Sequence, residues 1–134
     1  MNYEKILQSG KWVITIVGTL LTWLFGTWSI TLGVLIVFMV LDYLTGVLKG
    51  YVLKELSSDI GLKGLARKAI ILVVLIVAVM LDRLMGNENW LFRTLVCSFY
   101  IANEGLSIIE NAGALGVPIP QKILDALAQL KDKE

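Results

Sequence analysis

The chain has no histidine and only one cysteine among its 134 residues. Without an imidazole it lacks the commonest general base, the serine-hydrolase triad and most zinc sites. The lone Cys97 cannot close an internal disulfide, and its apolar neighbours suit a packing residue. Proline is almost missing, and both copies fall in "GVPIP" at 116–120. No glycine-rich phosphate loop is present. The glycines, Gly10, Gly18, Gly26, Gly33, Gly46 and Gly50 among them, are scattered through apolar sequence, a pattern of membrane helices rather than nucleotide sites. Charge is sparse and balanced, with 12 basic against 11 acidic residues, which leaves no electrostatic footprint for nucleic acid. No nucleophile and base converge, so the expectation is a non-enzyme with no cofactor and no metal.

What is there is apolar. The hydrophobic fraction is 57% and the mean hydropathy +0.77, above the roughly 45–50% apolar content of soluble domains. Between Trp12 and Leu41 lie 30 positions without a charge. One helix of that length would be roughly 45 Å long, against about 30 Å of bilayer hydrocarbon. "FGTWS" (25–29) offers a tight connection near the middle, with Trp23 and Trp28 suited to an interface. The run therefore reads as two spans, about 7–25 and 28–48. Basic residues flank them on both sides: Lys5 and Lys11 before, then Lys49, Lys54, Lys63, Arg67 and Lys68 after. Two spans put both basic segments on the cytoplasmic side.

A third span is expected at about 66–85, because Ala69 to Leu81 is uncharged and too long for a strand. "MGNENW" (85–90) makes a short outer turn. A fourth span, about 90–111, is the least apolar and holds Arg93, Glu104 and Glu110; docking against the other helices or lying at the interface is its alternative. The basic start and apolar stretch are read as an uncleaved anchor, since no small-residue cleavage pattern follows. "SSDIGLKGLARK" (57–68) is either an interfacial helix capped by Ser57 or Ser58 or an ordinary basic loop. After "GVPIP", Ile123, Leu124, Leu127 and Leu130 follow helical spacing, giving a short amphipathic helix that lies on the membrane or packs on a neighbour. "KDKE" (131–134) reads as a frayed tail. The expected fold is thus all-α: an integral membrane domain at 1–115 with about four transmembrane helices, then a cytoplasmic amphipathic helix and tail at 116–134, with both termini cytoplasmic.

Polar residues interrupt the apolar sequence in stripes. In "NEGLSIIEN" (103–111), Asn103, Glu104, Ser107, Glu110 and Asn111 share an arc of about 120°. In "DYLTGVLKG" (42–50), Asp42, Thr45, Gly46, Lys49 and Gly50 recur at helical spacing. Asp82 and Arg83 repeat the pattern at the far end of the third span. Snorkelling to headgroups explains Lys49 and Glu110, and capping of a helix that ends before Gly113 explains the Asn and Ser residues; neither explains Glu104 well, about two turns before the helix end. Asp42, Gly46, Lys49, Asn103, Glu104, Ser107, Glu110 and Asn111 are therefore the candidates for an oligomer contact or pore lining, with small residues at 46 and 50 allowing close helix approach.

Three blocks, "LDYLTGVLKG" (41–50), "SSDIGLKGLARK" (57–68) and "NEGLSIIENAGALGVPIPQKILDAL" (103–127), together resemble the toxin-secretion/phage-lysis holin family over most of the chain. The resemblance carries Asp42, Gly46, Lys68, Glu104, Glu110, Asn111, Gly116, Pro118 and Pro120, none catalytic. It implies a multi-pass protein of the bacterial cytoplasmic membrane whose partners are the lipid bilayer and further copies of itself. Such homo-oligomers open lesions that time host lysis, releasing an endolysin without needing to bind it, depolarising the membrane, or exporting a toxin. Two rival classes share part of the evidence: a small transporter or channel subunit, and an accessory membrane protein binding a partner through 57–68 or 120–134. Internal repeats, common in transporters, are not found.

Overall fold

The computed structural model describes residues 2–132, and among them the secondary structure is wholly helical. Five helices follow in order: α1 (Tyr3–Phe25), α2 (Ile30–Val52), α3 (Ser58–Met85), α4 (Leu91–Ala114) and α5 (Gln121–Asp132). Of the charged tail expected at 131–134, residues 133 and 134 lie outside the described residues.

Local chemistry sets the boundaries. α1 stops at Gly26, whose φ of 79° is the left-handed region that glycine tolerates. Ser29 then starts α2, its hydroxyl accepting from the Leu32 amide at 3.2 Å. Ser57, the first of the two expected caps, does the same for α3, accepting from Ile60 N at 3.2 Å. The 57–68 stretch is therefore neither a loop nor a separate helix: it is the first part of α3, continuous with the apolar segment. Gly86, at φ 69°, closes α3 in a left-handed cap.

Two of these helices, not four, are long and apolar enough to cross a membrane: α2 and α3. The helices expected at 7–25 and 90–111 do form, as α1 and α4, but they do not meet that standard. α1 spends its first nine positions on "YEKILQSGK", which leaves only Trp12 to Phe25 free of charge, about 21 Å of helix. α4 carries Arg93, Glu104 and Glu110 along its length.

α4 is the hub. It packs most extensively on α2, then on α5 and α3. Leu32, Leu35 and Met39 of α2, Ile71 and Leu75 of α3, and Cys97 and Ile101 of α4 form the core. α1 stands apart: it packs along α3, meets the rest of the bundle only near Phe25 at its C-terminal end, and buries none of its residues fully. Its Thr15, Thr19 and Thr22 turn their hydroxyls back onto carbonyls four residues earlier, so these hydroxyls are satisfied within the helix. α5 folds back along α4 after the Gly116 and Pro120 break.

Candidate functional site

The side chains with the largest electrostatic consequence meet where α2, α3 and α4 converge. Lys68 Nζ donates to Asp42 Oδ2 at 2.7 Å and to Glu104 Oε2 at 2.6 Å. The three side chains are largely shielded, at 14%, 16% and 9% exposure for Lys68, Asp42 and Glu104. Counting from the α1–α2 and α3–α4 turns, each stands about 18–26 Å along its own helix, well inside a bilayer-length segment. One ammonium thus joins two carboxylates from two other helices, and the formal sum of the cluster is one negative charge. An unpaired ion there would be costly, and pairing is what allows charged groups inside a span.

Asn111 extends the cluster by one more layer. Its Nδ2 donates to Thr45 Oγ1 at 2.9 Å and to Asp42 Oδ1 at 3.3 Å. Thr45 in turn donates to the Leu41 carbonyl at 2.7 Å. α2 and α4 are therefore tied by amide and hydroxyl groups as well as by Lys68. No buried side-chain nitrogen or oxygen among the described residues lacks a partner.

Of the residues singled out from the sequence, Asp42, Glu104 and Asn111 come together in this cluster. Ser107 is half-buried beside the Asp42 carboxylate, and Asn103 is half-buried. Gly46 faces Asn111 across the α2–α4 contact: a β-carbon there would lie 3.7 Å from Asn111 Nδ2, ordinary contact rather than forced proximity. Gly50 faces Leu56 of the turn that follows, not another helix. Lys49 is half-buried and makes no ion pair among the described residues, and Glu110 is exposed. The stripe at 103–111 therefore splits, with Glu104 and Asn111 facing inward and Glu110 outward.

A second polar layer closes the other end of the bundle. Asp82, 1% exposed, accepts from the amides of Phe92 and Arg93, both at 2.9 Å, and from Asn87 Nδ2 at 3.1 Å. It caps α4 from α3, since Trp90, in the capping position of α4 itself, offers no side-chain acceptor. Arg93 Nη1 donates to the carbonyls of Phe25 (2.9 Å) and Thr27 (2.7 Å). Arg83 donates to Trp23 O and Thr22 O. Both guanidiniums also lie over the Trp90 ring, Arg93 at 4.6 Å and Arg83 at 5.1 Å. Positive charge at the C-terminal end of α1 complements its dipole, so this layer anchors α1 by one end.

Sequence reasoning left Lys68 outside the candidate list, although the family resemblance included it. It also missed that Asp82 and Arg93 act together. A usable signal existed: a helix-embedded carboxylate needs a cation, and Lys68 is the basic residue that continues α3 into its apolar stretch.

Comparison with known sequences fits this architecture. The model of the bacteriophage holin family matches residues 19–132. The chain belongs to the bacteriophage holin family. It is 43% identical over 97 residues to a probable holin of Bacillus phage phi105, covering 72% of this chain and 70% of that one. It is 60% identical over 131 residues to an uncharacterized 14.9 kDa protein in the nagH 3′ region of Clostridium perfringens, covering 98% of this chain and 99% of that one. A Bacillus subtilis relative, YqxH, is 38% identical over 103 residues, 77% of this chain and 73% of its own. No solved structure matches. Family membership points to a non-enzymatic membrane protein of phage type, and the two long apolar helices agree with a membrane location.

Proposed function

We propose that this holin accumulates in the bacterial cytoplasmic membrane, assembles with copies of itself and opens lesions that time host lysis. Opening releases an endolysin, depolarises the membrane or exports a toxin; the endolysin needs the opening and not a contact. The observation that carries the reading is the Asp42–Lys68–Glu104 cluster, which ties three helices together by paired, largely shielded charges. Paired, these charges are tolerated inside hydrocarbon; separated, they demand water. Such a cluster gives a closed state and a hydrated state with little between them.

The membrane potential supplies a bias. Each elementary charge moved across it is worth about 2.3 kcal/mol per 100 mV. An assembly multiplies that by its number of copies, which makes the transition abrupt. A transporter would instead give a graded, substrate-dependent flux.

Inducible expression in a bacterium carrying a potential-sensitive dye and a cytoplasmic reporter enzyme tests this. A delay followed by sudden depolarisation with escape of the reporter is the expected result. Depolarisation with the reporter retained would restrict the lesions to small pores. A steady potential at good membrane expression would end the reading.

A further inference from the structure

We infer that the polar face of α5 lines water within the membrane when copies of this chain assemble, so that α5 forms the wall of the lesion. The inference rests on the lesion-forming reading above and adds which surface meets the lumen.

The argument begins with depth. Leu127 of α5 is buried against Gly105 of α4 and Phe38 of α2: a β-carbon on Gly105 would lie 2.7 Å from Leu127 Cδ2 and 3.2 Å from Phe38 Cε2. Gly105 adjoins Glu104, and Phe38 precedes Asp42 by one helical turn. Leu130, one turn further along α5, packs on the core shared by α2, α3 and α4. α5 therefore runs back beside the middle of the apolar helices and does not project beyond them.

At that depth the rest of the exterior is hydrocarbon-like. α2 exposes Val37, Val40 and Leu41, and α3 exposes Ile70, Val73 and Val77. α5 exposes Lys122, Asp125, Gln129, Lys131 and Asp132. One side of the body thus suits lipid chains and the opposite demand comes from α5, whose ions are among the most costly groups to place in hydrocarbon. Releasing α5 from a single copy would give up the close packing of Leu127 in the groove over Gly105 beside Phe38, which is what holds helices together in lipid. Copies arranged with α5 turned inward around water satisfy both surfaces and keep the helix docked. The exposed ions of α5 are two lysines and two aspartates, so a lumen lined by them favours neither sign of ion strongly.

The test uses the full chain with Cys97 replaced by Ala, carrying one new cysteine: Gln129→Cys or Asp125→Cys on the polar face, or Val37→Cys on the lipid face. Each is placed in phospholipid vesicles holding a fluorescent dye, and leakage is followed before and after a membrane-impermeant charged thiol reagent. The same positions, labelled with a fluorophore, are quenched by iodide in water and by lipids brominated in mid-chain. The expected result is that both polar-face cysteines react, that reaction slows leakage several-fold, and that iodide quenches them while brominated lipid does not. Val37→Cys should show the reverse quenching and unchanged leakage. Full leakage after complete modification at 125 and 129 would overturn the inference while leaving lesion formation intact. Quenching of these positions by brominated lipid would overturn it too. An unmodified parent that never leaks would instead remove the lesion-forming reading, and this inference with it.

Discussion

Lys68 Nζ stands 2.6 Å from Glu104 Oε2 across 36 positions of sequence, and the same nitrogen also holds Asp42 at 2.7 Å. Removing either end of this bond has unequal effects. Glu104→Gln leaves a one-to-one pair with Asp42, and the new amide oxygen can still accept from Lys68. Its stability in detergent should stay within about 1 kcal/mol of the parent, because a neutral acceptor keeps the hydrogen bond. Lys68→Met strands two carboxylates and should cost about 3–5 kcal/mol. Thermal melts followed by circular dichroism check both. The delay before depolarisation should shift in Glu104→Gln, since the charge moved on opening has changed. An unchanged delay removes Glu104 from the mechanism.

Gly105 and Leu127 supply a second prediction. The α4–α5 contact leaves no room for a β-branched side chain at 105, where Leu127 and Phe38 already crowd the position. Gly105→Val should undock α5 and leave α2–α4 in place. Hydrogen exchange should then accelerate across 121–132 while the amides of α2 stay protected. The opposite change, Leu127→Ala, should release α5 more mildly, at a cost of about 2–3 kcal/mol for one buried leucine.

Much of this arrangement was legible in the chain. "FGTWS", "MGNENW" and "GVPIP" fall between helices as expected, because Gly, Ser and Pro act on the backbone at their own position. Asp42, Glu104 and Asn111 were legible as helix-embedded polar groups, Glu104 without a local reason and Asn111 with helix capping as one. Their partner was not. Lys68 follows Arg67, yet a 100° turn separates them, so Arg67 faces outward while Lys68 faces the bundle. The same rotation parts Glu110 from Asn111. Pairing across 26 and 36 residues depends on which helices are neighbours, and helical periodicity is silent about that. The expectation of four spans failed for a related reason. Helix formation and membrane crossing were read from one apolar pattern, although α1 and α4 satisfy the first and are not apolar enough over a bilayer-spanning length for the second.

Asp82 should be the most sensitive carboxylate at the other end of the bundle. It accepts three hydrogen bonds while 1% exposed, two of them from amides at the start of α4. Asp82→Ala removes a helix cap, worth about 1–2 kcal/mol, and also leaves those buried amides unsatisfied. Asp82→Asn keeps one acceptor oxygen and should lose less. Chemical denaturation in detergent should rank the parent above Asn and Asn above Ala.

The last prediction separates the two arginines beside Trp90. Arg93 is 5% exposed and donates to Phe25 O and Thr27 O through one nitrogen. Arg83 is exposed and donates to Trp23 O and Thr22 O. Their bond counts are similar, but water can replace Arg83 and cannot easily replace Arg93. Arg83→Ala should therefore cost under about 1 kcal/mol, and Arg93→Ala about 2–3 kcal/mol, because two partly shielded carbonyls lose a charged donor that is itself buried. Gly26→Ala should mimic the second variant without touching a charge. Its φ of 79° disfavours a side chain, and the new methyl would sit 2.5 Å from Arg93 Nη1. Both Arg93→Ala and Gly26→Ala should free α1 from its anchored end, leaving α2–α4 folded. A protease added to the detergent-solubilised protein should then cut near residues 25–29 in these two variants before it cuts there in Arg83→Ala. Equal cutting in all three would show that the α1 anchor is shared evenly between the two guanidiniums.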